Sequence, residues 1–355
     1  MKNKKHKFTY EWTLKNAKFT KDKGKVFSCF ACGGGSTMGY KLAGFDVIGC
    51  NEIDPKMIEA YKTNHKPKYA FLEPIQTFKD RKDLPKELYN LDILDGSPPC
   101  SSFSISGNRQ KDWGKDKKFR EGQAEQVLDT LFFDFIDLAK ELKPKIVVAE
   151  NVKGLLIGEA KEYVKEIYKQ FDAAGYYCQH WLLNAKNMGV PQKRERVFFI
   201  CLRKDLAKPF LYFKDMFTEL PKLELNFKEP LIPYKKIREE KGNKNAIGLS
   251  PKIKELWLLC QAGNSFSTVH PKGSYFNENK LHPDKVIGTI RAGGLPYDYK
   301  EQRTLFNKEI CRAGTYPIDY NFLKNKPGYL VGMSVPPVMV AQIADEIFNQ
   351  WLNKI

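Results

Sequence analysis

The sequence lacks the features of an exported or membrane-spanning protein. Its 355 residues contain no run of 18 or more apolar residues, and the basic start, MKNKKHKFTY, is not followed by the apolar segment of a secretory signal. Internal repeats and low-complexity tracts are also missing, which excludes solenoid and array architectures. We therefore expect a cytoplasmic protein with no membrane partner.

The cysteines form neither a disulfide framework nor a zinc site. Cys29 and Cys32 make a Cys-x-x-Cys pair, but no second pair and no histidine at ligand spacing completes a zinc tetrahedron. A thioredoxin-type pair opens a helix, whereas Cys29 falls in an apolar run that predicts a strand. We expect reduced thiols and no bound metal. The full set is Cys29, Cys32, Cys50, Cys100, Cys178, Cys201, Cys260 and Cys311.

Acidic residues are outnumbered by basic ones. The chain has 59 Lys plus Arg against 42 Asp plus Glu, a formal net charge of +17, which favours a polyanionic partner. Nine lysines and two acids fall within residues 1–25, where no periodicity is evident, and we expect a basic N-terminal arm there. With 42% hydrophobic and 13% aromatic residues, the remainder can bury a core.

Apolar runs alternate with amphipathic segments over residues 26–202. A Gly-rich turn at residues 33–35 joins the first apolar run to a short helix, and further helices are indicated near residues 128–142 and 160–172. Alternating strands and helices predict an α/β fold with a mostly parallel sheet covered on both faces. The predicted strands are 26–30, 45–52, 91–96, 145–151, 177–185 and 196–202.

The regular pattern ends after about residue 202. Residues 203–328 are rich in Pro, Gly, Lys, Asn and Tyr, which predicts a smaller, loop-rich second domain. Residues 336–351 are periodic again, with apolar residues on one face, and we expect this helix to return to the first domain. The predicted domains are therefore 26–202 plus 329–355, and 203–328.

Four short blocks at strand ends carry groups suited to chemistry. The Gly-rich turn lets a ligand approach the backbone, and Glu52 can accept hydrogen bonds from a ribose hydroxyl pair. The turn spacing is not Gly-x-Gly-x-x-Gly, which disfavours a nicotinamide dehydrogenase. In the second block, two prolines stiffen the loop before Cys100, which suits a positioned nucleophile better than a packed thiol. In the third and fourth, Glu150 needs a cationic partner or a ligand, and Arg194 or Arg196 could reach it.

These four blocks, in this order, resemble the C5-cytosine DNA methyltransferases of bacterial restriction and modification. The resemblance covers most of residues 26–202 and resumes at residues 303–317 and 332–347. It implies a Rossmann-like domain that binds S-adenosylmethionine and releases S-adenosylhomocysteine, and a smaller target-recognition domain. It also implies double-stranded DNA as partner, a monomer in the bacterial cytosol, and a cognate restriction endonuclease linked by function and not by contact.

The resemblance assigns roles to individual residues. Cys100 would attack cytosine C6, Glu150 would contact N3 and the exocyclic amine, and Arg196, with Arg194 beside it, would hold the flipped base. The loop after the nucleophile, residues 104–120, would close over DNA through Ser104, Arg109, Lys111, Lys117 and Arg120. The expected cofactor contacts are Phe30, Ala31, Gly34, Gly35, Glu52, Ile53, Ile75, Pro99, Leu131, Ser334 and Val335.

Some positions depart from the family pattern. Cys32 replaces a Gly of the turn, Ser101 replaces a Gln, Met333 replaces an Asn, and residues 73–75 read Glu-Pro-Ile in place of Gly-Asp-Ile. We expect activity with weakened cofactor affinity.

Two alternatives stay open: a tRNA cytosine-5 methyltransferase on the same scaffold, and an inactive DNA-binding relative. The recognised DNA sequence is not predicted, although loops at 263–276 and 289–294 are candidates for reading it.

Overall fold

The computed structural model describes residues 6–99, 116–117, 126–127, 130–158, 160–215, 218–240 and 248–355. These residues divide into two compact units. Unit 1 takes its residues from segments 6–18, 184–194 and 227–340, and unit 2 from segments 19–183, 195–226 and 341–355.

Unit 2 is built around a seven-stranded sheet with the order β3-β2-β1-β4-β7-β9-β8. The strands from β3 to β7 pair in parallel, and β9 pairs antiparallel with β7. The strands are β1 (Lys25–Cys29), β2 (Asp46–Glu52), β3 (Tyr69–Leu72), β4 (Ile93–Gly96), β5 (Asp116–Lys117), β6 (Gln126–Val127), β7 (Ile146–Val152), β8 (Tyr176–Asn184), β9 (Glu195–Arg203), β10 (Leu211–Phe213) and β11 (Glu219–Pro221). The short strands β5 and β6 pair with each other, as do β10 and β11.

Helices follow most of the sheet strands, as the alternation predicts. They are α1 (Gly35–Ala43), α2 (Pro55–His65), α3 (Ile75–Phe78), α4 (Leu131–Leu142), α5 (Ala160–Ala173), α6 (Pro251–Leu259), α7 (Asn307–Gly314), α8 (Pro327–Met333) and α9 (Pro337–Gln350). The predicted α/β fold is confirmed. Sequence reasoning missed β3 and α2, although Asp54 caps α2 by accepting from the Lys56 and Met57 amides and Pro55 opens its first turn.

The two faces of the sheet carry different side chains because strand residues alternate in direction. Phe27, Leu94 and Val147 point to one face, where they share a buried apolar cluster with Phe135 of α4 and Ile167 of α5. Neighbouring residues point the other way, and there Asp95 of β4 meets α1 through the Tyr40 hydroxyl. Both faces are therefore covered.

Unit 1 contains little regular structure, as expected for the loop-rich part of the chain. Its described residues form α6 to α8 and isolated single-residue bridges, such as Lys280 with Tyr297. A small apolar cluster includes Leu256 and Phe266. Beside it, the fully buried Asp298 carboxylate accepts hydrogen bonds from Arg238 and from the Tyr234 hydroxyl, so the charge is paired.

The division into units differs from the predicted domains. Segment 203–226 belongs to unit 2, where Trp351 donates to the Lys222 carbonyl, and segments 184–194 and 329–340 belong to unit 1. The basic arm at residues 1–25 stays a prediction, and residues 6–25 make long-range contacts with later segments. Trp12 is buried and donates to the Thr315 carbonyl, and Lys23 forms an ion pair with Asp345. Long-range contacts of this kind leave no periodic signal in the local sequence.

One helical run among the described residues, Pro327–Lys354, is long and apolar enough to cross a bilayer by length and composition. It is interrupted between α8 and α9, and 83% of its most apolar window is buried inside the protein. Burial of this extent is typical of a core helix.

Candidate active site

The carboxyl ends of β1, β2, β4 and β7 lie at one edge of the sheet, because these strands run parallel. The first block, the turn between β1 and α1, is held in a tight conformation. Phe30 and Cys32 have positive φ values of 52° and 49°, and the Gly34 amide donates to the Ala31 carbonyl at 2.8 Å. Cys32 thus keeps the left-handed backbone that a glycine would favour at this departure from the family pattern.

Position 34 favours glycine for two reasons, its backbone conformation and the space around it. Its φ is 84°, and a Cβ added there would collide with the imidazole of His65, whose Nε2 lies 3.1 Å from the Gly33 carbonyl oxygen. His65 is buried, and burial lowers its pKa to about 3, so the ring is neutral. Gly35 then begins α1.

Glu52, at the end of β2, is fixed by backbone amides. Its Oε1 accepts from the amides of Ile53 and Asp54, each at 2.9 Å, and its Oε2 accepts from the Cys32 amide at 2.7 Å. Burial raises the pKa of this carboxyl, and the three amides oppose that shift. Since a carboxylate oxygen has two acceptor positions, Oε2 can take a further donor such as a ribose hydroxyl.

The candidates for the adenine side follow β2. Ile75 is buried at the start of α3, and Ile53 is partly buried. The Glu73 carboxylate forms an ion pair with Arg81 at 2.9 Å, and Pro74 offers neither a side-chain acceptor nor an amide hydrogen. The described residues 73–75 therefore provide no side-chain acceptor free of an ion pair.

Two further candidates for the cofactor site, Phe30 and Leu131, are associated with α4. The partly buried Phe30 meets Phe135 of α4 edge to face at 6.3 Å between ring centroids, and Leu131 is fully buried at the first position of α4. Pro99 is partly buried.

Glu150 and Arg196 form a buried ion pair. Arg196 lies opposite Val152 in the antiparallel β7–β9 register, so Glu150 projects from the same face two residues away. Arg196 Nε donates to Glu150 Oε1 at 2.8 Å, which identifies Arg196 as the cation expected for this carboxylate. Burial lowers the pKa of Arg196 and the Glu150 charge opposes that shift.

Asn151 connects this strand to the nucleophile block. Its Nδ2 donates to the Pro98 carbonyl at 3.1 Å, and its Oδ1 accepts from the Val152 amide at 2.8 Å. The side chain is buried and holds the chain two residues before Cys100. Sequence reasoning did not single out Asn151, although it lies within the Glu-Asn-Val block. Cys100 itself and the expected DNA contacts Ser104, Arg109, Lys111 and Arg120 lie outside the described residues, and the Lys117 side chain is not described.

Asp95 was also missed. It is buried near the end of β4, where Ser28 Oγ donates to Oδ2 at 2.8 Å and Tyr40 donates to Oδ1 at 3.2 Å. Burial raises its pKa to about 7, and the nearby charge of Glu150 acts in the same direction. The available signal was an acid inside the apolar run LDILDG, which needs partners from elsewhere in the chain.

Arg194 was expected to act beside Arg196, but in the structure its side chain bonds to backbone carbonyls of unit 1. Its guanidinium is buried, with Nη1 donating to the Ile290 carbonyl at 3.1 Å and Nη2 to the Gly332 carbonyl at 3.0 Å. Gln192 adds to this contact, because its Oε1 accepts from the Ile290 amide. These bonds fix the 289–294 loop.

Ser334 and Val335 also belong to unit 1. The Ser334 hydroxyl accepts from Tyr316 at 2.6 Å and donates to the Leu330 carbonyl at 2.9 Å, and Val335 is buried. Met333, the departure just before them, is 45% exposed. Among the described residues, no group of three or more His, Cys, Asp or Glu side chains is arranged to hold a metal ion.

Comparison with known proteins gives consistent results. The Type II methyltransferase M.FnuDI of Fusobacterium nucleatum is 39% identical over 183 residues, which are 51% of this chain and 48% of that protein. The Type II methyltransferase M.DdeI of Desulfomicrobium norvegicum is 37% identical over 91% of this chain and 88% of its own length. A crystal structure of a prophage-encoded DNA modification methyltransferase (E. coli) has a TM-score of 0.67 at 19% identity, covering 92% of this chain and 99% of that one, and shows the shared fold.

The profile of C-5 cytosine-specific DNA methylases matches residues 24–349, which include all four blocks and most of both units. The chain therefore belongs to the C-5 cytosine-specific DNA methylase family and is a DNA (cytosine-5)-methyltransferase.

Proposed function

We propose that this protein methylates a cytosine flipped out of double-stranded DNA, with Cys100 as nucleophile and Glu150 and Arg196 as the groups that hold the base. The observation that carries the proposal is the buried Glu150–Arg196 ion pair, adjacent along β7 to Asn151, which anchors the Pro98 carbonyl. Glu150, its cation Arg196, and Asn151, which holds the chain before Cys100, therefore lie at the same edge of the sheet.

This arrangement suits addition to a pyrimidine ring. Cytosine C5 is a weak nucleophile until a thiolate adds to C6, and the addition is favoured when N3 receives a proton or a hydrogen bond. Glu150 Oε1 is occupied by Arg196, so the second oxygen is the one that would face N3 and the exocyclic amine. After the methyl group is transferred to C5, a base removes the C5 proton and the thiolate leaves.

The proposed methyl donor is S-adenosylmethionine, which supplies an electrophilic methyl group on its sulfonium. Glu52, fixed by three amides, would accept from the ribose hydroxyls, while the 30–35 turn allows close approach to the backbone. The residues that would complete the cofactor site in unit 2 are Phe30, Ala31, Gly35, Ile53, Ile75, Pro99 and Leu131. The family resemblance also assigns cofactor contacts to Ser334 and Val335.

The target base must leave the helix stack, which costs a few kcal/mol, because C6 is inaccessible in a stacked duplex. The basic residues of segment 104–120 and the net charge of +17 favour phosphate contacts that offset this. Because its relatives carry names of Type II methyltransferases, we assign the protein to a bacterial restriction-modification system. It would act as a cytosolic monomer, linked to a cognate endonuclease by function and not by contact.

A transfer assay tests the activity and its rivals together. The protein is incubated with methyl-labelled S-adenosylmethionine and either duplex DNA or tRNA. We expect label in DNA, loss of at least about 1,000-fold for Cys100→Ser, and little change for the control Cys178→Ser, a half-buried thiol of β8. Label in tRNA instead of DNA would support the RNA enzyme, and no label in either would support the inactive relative.

A trapping experiment tests whether Cys100 forms the covalent bond to cytosine C6. With fluorine at C5 of the target cytosine there is no C5 proton to remove, so the Cys100–C6 bond should persist. We expect a denaturation-resistant protein–DNA adduct from the wild type and none from Cys100→Ser. An adduct that survives in Cys100→Ser would contradict the assignment of the nucleophile.

A further inference from the structure

Unit 1 contains a cavity of about 240 Å³ that we call the basic pocket. Of the described residues, four cationic side chains line it, and none of those lining residues is Asp or Glu. Glycines at 263, 288 and 294 form part of the wall. Among the described residues, a Cβ added at Gly288 would meet no atom within 4 Å, whereas one at Gly294 would lie 3.9 Å from Oε1 of Glu278. The four cations are Lys193, Lys280, Lys285 and Arg291, and Asn277 also lines the pocket.

One of the four cations, Lys280, forms hydrogen bonds within the protein. Lys280 is buried, its ammonium donates to the Trp257 and Cys260 carbonyls at 2.9 and 3.0 Å, and it lies 3.7 Å from the centre of the Trp257 ring. Lys193 and Lys285 are exposed, and Arg291 is partly exposed. These three are the charges that the pocket presents to a ligand.

The backbone beneath these cations is fixed. Lys193 donates its amide to the Ile287 carbonyl at 2.9 Å, and its own carbonyl accepts from the Thr289 hydroxyl at 2.6 Å. The carbonyl of Lys285 accepts from the Tyr234 amide at 2.9 Å. Because the backbone is already fixed, the conformational entropy lost when a ligand binds is limited to that of the side chains.

We propose that the basic pocket binds a backbone phosphodiester of the DNA substrate through Lys193, Lys285 and Arg291. The proposal rests on the proposed function, since it assigns one contact of that same substrate. The volume lies below the roughly 300 Å³ at which pockets for drug-sized ligands begin. It has room for a phosphate with part of its sugar, and three cations without a carboxylate match an anion.

The charges favour a phosphate over a base edge. Lysine ammonium groups are point charges without the planar geometry that distinguishes bases, and half or more of protein–DNA hydrogen bonds go to phosphate and sugar. Arg291 could read a guanine with two terminal donors, but its Nη2 already donates to the Asn277 carbonyl. The pocket therefore fits positioning of the duplex.

The test measures binding of the duplex DNA used in the transfer assay, over about 50–200 mM salt, by fluorescence anisotropy. The variant is Lys193→Gln with Lys285→Gln. The matched control is Lys252→Gln with Lys254→Gln, which removes the same charge from exposed lysines of α6 in the same unit. Thermal unfolding of both variants checks that they are folded.

For one lost phosphate contact, we expect the slope of log affinity against log salt to fall by about 0.9 in the pocket variant. Affinity at 100 mM salt should fall about tenfold, the pattern of methylated sites should stay the same, and the control should shift much less. A slope equal to that of the control would overturn the proposal. Altered preference at one base pair with an unchanged slope would overturn it in favour of base reading.

The same samples separate this proposal from the proposed function. A wild type that binds the duplex with a steep salt slope but transfers no methyl group would contradict the methyltransferase assignment. A wild type that methylates DNA, with a pocket variant that binds and methylates like the control, would contradict the pocket alone.

Discussion

Arg196 Nε lies 2.8 Å from Glu150 Oε1, and the two side chains are only 16% and 11% exposed. The pair spans β7 and β9 on the diagonal of an antiparallel register, so the strand pairing itself brings the charges together. Because the arginine occupies one carboxylate oxygen, the other oxygen is the one that a base would meet. This geometry makes separate predictions for chemistry and for stability.

Glu150→Gln should slow methyl transfer while leaving the fold intact. The amide keeps the shape and can still contact Arg196 through its oxygen, but it cannot deliver a proton to N3. We expect a fall of about 100-fold or more in the single-turnover rate, with duplex affinity within a few-fold of wild type. Glu195→Gln, which alters the neighbouring half-exposed partner of Lys153, is the control. A wild-type rate for Glu150→Gln would remove Glu150 from the chemistry.

Arg196→Met should destabilise unit 2, because it leaves the Glu150 charge buried without its cation. Breaking a buried pair in this way costs about 3–5 kcal/mol, or roughly 10 °C in the midpoint of thermal unfolding for a domain of this size. The double variant with Glu150→Gln should recover part of that loss, since the uncompensated charge is gone. Equal midpoints for the single and double variants would show that the charge is not the cause.

Much of unit 2 could be predicted from local sequence, and the reason is physical. Strands buried on both faces are continuous apolar runs, so β1, β4 and β9 were predicted to within about two residues. β3 was missed because its residues are half-buried or exposed and do not stand out. α2 was missed because its apolar positions are interrupted by charged residues, although Asp54 and Pro55 mark its start.

Contacts between residues far apart in the sequence were harder to predict. Nothing local shows that Gln192 and Arg194 bind the backbone near Ile290, nearly 100 residues away, or that Trp12 packs with Thr315. The Glu150–Arg196 pairing was within reach because both residues adjoin apolar strands. Asp95 was not, because its partners Ser28 and Tyr40 lie far from it in sequence.

Asp95 should make the stability of unit 2 depend on pH. Its folded-state pKa of about 7 lies above the ordinary 3.8, so the folded state binds this proton more tightly than the unfolded state. The resulting stabilisation is complete below about pH 4 and is lost as pH rises through 7.

Asp95→Asn mimics the protonated carboxyl and should not lose stability over that range. We expect the unfolding midpoint of wild type, relative to Asp95→Asn, to fall as pH rises from about 4 to about 7 and to level off above that. Glu141→Gln, an exposed acid of α4, serves as the control. Parallel pH curves for wild type and Asp95→Asn would show that Asp95 does not titrate in this range.

Gly34→Ala should damage the turn between β1 and α1 more than its backbone strain alone explains. Gly34 and Gly175 both have positive φ, 84° and 89°. A Cβ at Gly175 would meet none of the described residues within 4 Å, whereas one at Gly34 collides with His65. Gly175→Ala should therefore cost only the strain, about 1 kcal/mol. Gly34→Ala should lower the unfolding midpoint further and weaken S-adenosylmethionine binding at least tenfold by calorimetry. Equal effects from both variants would mean that the His65 contact relaxes without consequence.

Pro74→Asp should strengthen cofactor binding if the missing acceptor next to Ile75 limits affinity. The Glu73 carboxylate is committed to Arg81, and Pro74 precedes α3 without a side-chain cap. An aspartate there could accept from the adenine amine, and one such hydrogen bond is worth about 1 kcal/mol, or roughly fivefold in the dissociation constant. Aspartate also favours the position before a helix, so the variant should remain folded.

Pro74→Ala separates the two changes in that substitution, because it removes the proline without adding an acceptor. Isothermal titration of S-adenosylmethionine into wild type, Pro74→Ala and Pro74→Asp should show tighter binding for the aspartate variant alone. Dissociation constants of both variants equal to that of wild type would show that adenine recognition at this site does not use a carboxylate. Tighter binding by both would assign the weakness to the rigid proline backbone and not to the lost acceptor.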